Sequence, residues 1–229
     1  MPRKRALVLY GGWEEHQPER VADFARRHAL ADFDVVASQG LDALEVDVLS
    51  DFDVLAPVWT FGELSPSQER GLVRAVTEGL GLLTWHGATS AFLASRDHKF
   101  LIGGQFVAHP GGQDVTYTVR FLGNDPLVDG LEDLTVTTEQ YYLLVDPSVK
   151  VLATTRMVAP GMRWLEQVEM PVAWTRTWGS GRVFYCSLGH TVETLEAPPV
   201  LTLLRRAASW VSRRPSPRGV SSTGPLPAG

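Results

Sequence analysis

Histidine is the side chain whose ordinary pKa lies nearest neutrality, so it is the first residue type to follow when a chain is to move protons or hold a metal. The sequence has six histidines. His16 lies beyond the apolar run Ala6–Tyr10, and His86 directly follows Gly81–Trp85. His190 follows Arg182–Leu188, and His109 sits inside the glycine-rich loop Gly103–Gly112, long enough to fold over the sheet. Glu139 stands just after Leu134–Thr138. An imidazole beside a carboxylate can take a proton from a substrate and return it. His86 or His109 is thus a candidate base or acid, with Glu139 as its partner carboxylate. His190 and the backbone at Gly87 and Ala88, where a helix N-terminus would offer free N–H groups and a positive dipole end, are candidates for polarising a carbonyl or hydroxyl.

Several histidines and a glutamate can also surround a metal with an open coordination position. The sequence has no His-Glu-x-x-His or other local ligand spacing, so no cofactor is expected from motif alone, and a divalent metal stays open. Trp13, Trp59, Trp85 and Tyr141 cluster around the same run ends. Flat aromatic faces stack on the C–H faces of sugar rings, which makes them candidate substrate-binding residues alongside His16 and Gly87. His28 falls on an apolar helical face and reads as structural. His98, between Asp97 and Lys99, reads as exposed, and Cys186 as a small buried hydrophobe.

Positioning these residues requires a sheet. Ala6–Tyr10, Phe33–Ala37, Asp53–Val58 and Gly81–Trp85 are short apolar runs rich in strand formers. Between them, Val21, Phe24, Ala25, His28 and Ala29 share one helical face. Ser65, Pro66 and Gln68 form a helix start with a capping box, and the helix runs to about Glu78. A short helix is expected over Ala88–Ser95. Farther on, Val115–Phe121 alternates apolar and polar residues, the mark of a half-buried antiparallel strand. Leu134–Thr138 and Val149–Thr154 look similar, and Pro171–Trp178 with Arg182–Leu188 form a hairpin. A last helix carries the stripe Val200, Leu203, Leu204, Ala207, Ala208 and Val211.

The expected fold is a three-layer, flavodoxin-like, doubly wound α/β sheet extended by antiparallel strands. Ligands in such sheets bind outside the carboxyl ends of the strands, which is where the polar residues above collect. Residues 1–213 are expected to form one domain, and 214–229, rich in proline and glycine, a disordered tail.

With 44% hydrophobic and 21% charged residues, the chain of 229 has the balance of a soluble globular protein. One cysteine allows no internal disulfide, and no apolar run approaches a membrane span. A cytoplasmic location without membrane association is therefore expected. A formal net charge of −5 and the lack of a basic stripe argue against nucleic acid. The expected partner is a small carbohydrate, and a homo-oligomer is compatible with the sequence.

Five segments in order carry a resemblance: Gly11–Pro18, Thr84–Ala88, Gly103–Gly112, Thr138–Tyr142 and Pro171–His190. Together they resemble the trehalose-utilisation (ThuA-like) family over about residues 5–211. The resemblance implies a fold related to class I glutamine amidotransferases. It also implies a role in using trehalose and related disaccharides, in some members through 3-keto sugars. The family's recurring polar residues map onto His16, His86, His109, Glu139 and His190. Amidotransferases need a cysteine at the turn after a sheet strand. Here the turn reads Trp85-His86-Gly87, which excludes glutamine hydrolysis by that route. The resemblance leaves three readings: acid–base chemistry on a disaccharide or keto-sugar, a metal-dependent sugar hydrolase or isomerase, and a non-catalytic sugar-binding module.

Overall fold

The structure, a computed structural model, describes residues 3–44, 46–123 and 125–213. The expected disordered tail, 214–229, lies outside the described residues. The chain opens with β1 (Arg5–Gly12), α1 (Pro18–Phe24), β2 (Asp34–Gln39), α2 (Val46–Leu49), β3 (Val54–Thr60), α3 (Pro66–Thr77) and β4 (Gly81–Trp85). It continues through α4 (Arg96–Ile102), β5 (Gly104–Ala108), β6 (Val115–Phe121), β7 (Leu134–Thr138), β8 (Tyr142–Val145) and β9 (Lys150–Arg156). The hairpin β10 (Glu169–Trp178) and β11 (Gly181–Cys186) precedes α5 (Val192–Glu196) and α6 (Pro198–Val211).

Among the described residues, nine strands form the main sheet in the order β2-β1-β3-β4-β11-β10-β9-β6-β7. β2, β1, β3, β4 and β11 run parallel to their neighbours, and β10, β9, β6 and β7 add on antiparallel. This is the expected doubly wound sheet with an antiparallel extension. Alternation along β1 divides the core. Ala6 and Val8 face α1 and α6, while Leu7 and Leu9 face α3 and α4. Strand side chains point to opposite faces in turn, so one strand feeds both helical layers. The α6 stripe Val200, Leu203, Leu204, Ala207, Ala208 and Val211 is fully buried. Each large aliphatic side chain in it contributes about 1.5–3 kcal/mol.

The capping box forms as the sequence implies. Gln68 N donates to Ser65 Oγ and Ser65 N donates to Gln68 Oε1. The helix that begins at Pro18 is α-helical only to Phe24, and Ala25–Ala29 is a π turn.

Three expectations require correction. No helix spans Ala88–Ser95: residues His86–Thr89 make one 3-10 turn, and Phe92 adopts a left-handed φ of 50°. The helix begins instead at Ser95, whose Oγ accepts from His98 N and caps α4. The segment Gly103–Gly112 is not wholly loop, because Gly104–Ala108 pairs antiparallel with β8 in a separate two-stranded sheet. His98 is 3% exposed rather than on the surface, its ring set edge-on against Phe92 at 5.0 Å. Its polar neighbours Asp97 and Lys99 flank it in sequence, but helix geometry turns the three side chains in different directions.

Burial, reinforced by Lys99, lowers the His98 pKa to about 3. Below about pH 6.5 the unfolded chain therefore takes up a proton that the folded His98 refuses until about pH 3. Stability is full above that window and falls as the pH drops through it. Urea unfolding of His98→Leu should show a shallower acid decline, with the variant regaining on the order of 3 kcal/mol relative to wild type at pH 4. An unchanged decline would mean that His98 is not held neutral.

Candidate functional site

The order β2-β1-β3-β4 reverses direction between β1 and β3, and in this fold type the crevice at such a reversal is the usual ligand position. Such a crevice is present. A small space lies beyond the ends of β1, β3 and β4, bordered by Gly11, His16, Trp59, Thr60, His86 and Gly87. It is narrow, with room for roughly one water molecule.

His86 sits at the mouth of this crevice because β4 delivers it there. The strand is buried along its whole length, and the chain then turns through a left-handed His86 φ of 42°. A non-glycine residue in that region is uncommon and persists only where its surroundings hold it. Here the holding bonds are visible. His86 Nδ1 lies 3.1 Å from the Ser187 carbonyl, and the His86 carbonyl accepts from Tyr185 Oη at 3.0 Å. A carbonyl only accepts, so Nδ1 carries the proton and Nε2 presents its lone pair. Tyr141 Oη donates to that lone pair at 3.0 Å, its ring stacked on the imidazole. Burial, with His16 adding to it, pushes the His86 pKa well below its usual value. Burial likewise holds the Tyr141 phenol well above its ordinary range. The pair is thus a neutral base and a protonated phenol.

Glu139 follows β7 and reaches the same place. Its side chain is 4% exposed, and three imidazoles surround it. Oε2 is 3.5 Å from His86 Nε2 and 3.4 Å from His190 Nδ1, while Oε1 is 3.8 Å from His109 Nε2. His86 Nε2 and His190 Nδ1 are 3.4 Å apart. His16 completes the group. Its Nδ1 bonds Thr60 Oγ1 at 2.8 Å, and its ring lies 4.8 Å from His86 and 5.2 Å from His190. Burial, then the neighbouring histidines, lower the His16 pKa to about 4. Ligand atoms of His16, His86, Glu139 and His190 all lie within 4.8 Å of one another, so these four could hold a metal ion. The five residues that the sequence places at strand ends therefore converge in one cluster.

The aromatic candidates divide. Trp13 stays half-buried and packs edge-on against His16 at 4.6 Å and against Phe61 at 5.5 Å. Trp59 lines the crevice, and its buried Nε1 has no hydrogen-bond partner among the described residues. Trp85 and Tyr141 are each 4% exposed and present no open ring face. Trp85 forms part of the crevice wall, and Tyr141 acts through His86. Gly87 opens no long helix, since only the 3-10 turn follows, so a helix-dipole role does not apply there. Its lack of a side chain matters for packing: a Cβ would come within 2.0 Å of Thr60 Oγ1. His109 is 39% exposed at the side chain and His190 19%, so these two open the cluster to solvent.

Sequence reasoning missed Thr60, which orients His16, and Tyr117, whose Oη donates to the Glu139 carbonyl at 2.9 Å. The strand-end rule applied to polar residues other than histidine and glutamate would have found Thr60, the last residue of β3.

Gly87→Ala should cost about 1–3 kcal/mol in urea unfolding, since the methyl must displace Thr60 from His16. Thr60→Ala added to Gly87→Ala should recover part of that loss, a coupling absent if the two sites do not touch.

Solved structures of similar fold include a ThuA-like protein from Parabacteroides merdae, 17% identical, with a TM-score of 0.76 over 95% of this chain and 94% of that one. A ThuA-like protein from Bacteroides uniformis is 21% identical, with a TM-score of 0.72 over 92% of this chain and 91% of that one. A β-galactosidase from Rahnella sp. R3 is 13% identical with a TM-score of 0.63; the match covers 93% of this chain but 32% of the enzyme. No curated protein matches the chain. Among the described residues no helix is long and apolar enough to cross a membrane. The profile of the ThuA family, described as trehalose utilisation, matches residues 5–211, and the chain belongs to that family.

Proposed function

We propose that the protein is an enzyme that acts on a small carbohydrate, a disaccharide or keto-sugar of the trehalose type, by proton transfer at the histidine–glutamate cluster. The observation that carries this reading is the Glu139 carboxylate, 4% exposed and faced by three imidazoles, two of which open to solvent. Membership of the trehalose-utilisation family supports the substrate class.

The crevice takes roughly one water, so a sugar ring binds outside it, over the exposed edges of His109 and His190 and beside Trp13. A carbonyl on a sugar acidifies the C–H on the adjacent carbon. One outer imidazole accepts that proton as the C–H electrons move toward the carbonyl, and the other returns a proton to the oxygen that leaves or to the enolate carbon. Glu139 lies between the two imidazoles and stabilises whichever is protonated. The Tyr117 hydroxyl, donating to the Glu139 carbonyl, holds the Glu139 backbone in place from the buried side. This arrangement suits isomerisation, elimination or glycoside cleavage next to a keto group.

The test is incubation with a panel of disaccharides and their 3-keto forms in deuterated water, followed by NMR. Turnover or deuterium uptake beside the carbonyl is expected for at least one sugar. His190→Ala and Glu139→Gln should each lower its rate by about 10²–10⁴-fold while the fold is kept. No change in any sugar, or full activity in both variants, would contradict the reading.

A further inference from the structure

We propose that His16, His86, Glu139 and His190 form a binding site for one first-row divalent transition metal, with zinc as the reference ion. The proposal rests on the functional reading above and on the same cluster, but it makes a separate claim about what the cluster holds: with an ion bound, His190 and Glu139 serve as ligands and His109 is the imidazole left to carry a proton.

The geometry is specific. His86 Nε2, His190 Nδ1 and Glu139 Oε2 mark a triangle with edges of 3.4, 3.4 and 3.5 Å. These edges exceed the roughly 2.7–3.2 Å of a good hydrogen bond, so the three groups do not close on each other. A point equidistant from the corners of such a triangle is about 2.0 Å from each, the edge divided by the square root of three. Zinc–nitrogen and zinc–carboxylate distances are about 2.0–2.2 Å, and ligand atoms around a tetrahedral zinc lie roughly 3.4 Å apart. An ion seated slightly out of the triangle's plane therefore meets three donors at bonding distance without any of them moving far.

The fourth donor and the supports agree with this placement. His16 ligand geometry falls inside the 4.8 Å group, and its Nδ1 is held by Thr60 Oγ1 at 2.8 Å, which leaves Nε2 to face the cluster. His86 Nδ1 donates to the Ser187 carbonyl, which fixes the tautomer whose Nε2 can ligate. Metal-binding histidines depend on this second hydrogen bond to set ring direction and tautomer. Glu139 splits its oxygens: Oε2 faces the triangle, and Oε1 faces His109 Nε2 at 3.8 Å. That leaves a single carboxylate oxygen for the ion. The crevice behind has room for roughly one water, and Trp59 Nε1, a buried donor with no partner among the described residues, lines it. A water ligand there would find both space and an acceptor's partner.

The donor set also selects the ion. Three imidazoles and one carboxylate suit zinc, cobalt, nickel, iron or manganese, whereas calcium and magnesium take oxygen shells. Tyr141 Oη occupies the lone pair of His86 Nε2 at 3.0 Å, so loading the ion requires that hydroxyl to turn away.

The experiment uses the full chain, stripped with chelator and titrated with zinc(II) and, separately, cobalt(II), by calorimetry, elemental analysis and visible absorption. One ion per chain is expected, with the d–d bands of a four- or five-coordinate cobalt site. Glu139→Gln and His190→Ala should each weaken binding by more than about 100-fold, and Thr60→Val, in the supporting layer, by about tenfold. His190 is partly exposed, so its removal leaves the fold intact, as circular dichroism would verify; His28→Ala should not affect binding. Substoichiometric uptake without d–d bands, or uptake unaffected by both ligand substitutions, would overturn the proposal. Running the sugar panel on stripped and loaded protein separates the two claims. Turnover by a protein that takes up no metal defeats this inference alone, and stoichiometric metal with no sugar turned over defeats the functional reading alone.

Discussion

A carboxylate removed from water must be compensated, and in this protein the compensation for Glu139 shapes the site around it. An unpaired buried charge is prohibitive, and the usual remedy is a lysine or arginine at close range. Here the neighbours are imidazoles at 3.4, 3.5 and 3.8 Å, drawn from three separate stretches of chain. None of the three contacts is a tight hydrogen bond. The cluster is thus held open by its scaffold, and an open polar cluster in a low-dielectric setting is costly unless it does something.

The scaffold can keep it open because each member is anchored from behind. β4 and β11 pair in parallel, which puts the residue after Trp85 next to Ser187, and the Ser187 carbonyl takes the His86 proton. β3 ends in Thr60, which fixes His16, and the missing side chain of Gly87 lets Thr60 and the β4 turn approach. β6 contributes Tyr117, whose hydroxyl ties down the Glu139 backbone from the antiparallel side. The parallel half supplies His16, His86 and His190 at its carboxyl edge, the small β5–β8 sheet supplies His109, and the antiparallel half brings the carboxylate to them. Neither half builds the site alone.

Much of this was legible in the residues. Alternation gave Val115–Phe121 and Leu134–Thr138 their bounds, since period two has no helical imitation over that length. Ser65 and Gln68 fixed a helix start because the capping box is a local code. The convergence of His16, His86, His109, Glu139 and His190 followed from one topological rule about strand ends. What stayed hidden depends on long-range geometry. Gly104–Ala108 becomes a strand only by pairing with β8, some forty residues away in sequence, and its glycines gave no sign of that. His98 looked exposed because Asp97 and Lys99 flank it, although Ser95 caps the helix that buries it. The left-handed turn at His86 is uncommon for any residue other than glycine, and one histidine in a sequence is too weak a signal to announce it.

The central claim is that one carboxylate organises this set of imidazoles, and side-chain nitrogen NMR of the histidines in wild type and Glu139→Gln tests it most directly. The account predicts that the signals of His86, His109 and His190 shift together when the carboxylate becomes an amide, while those of His28 and His98 stay in place. Unmoved signals at all three, or equal shifts at His28 and His98, would contradict it.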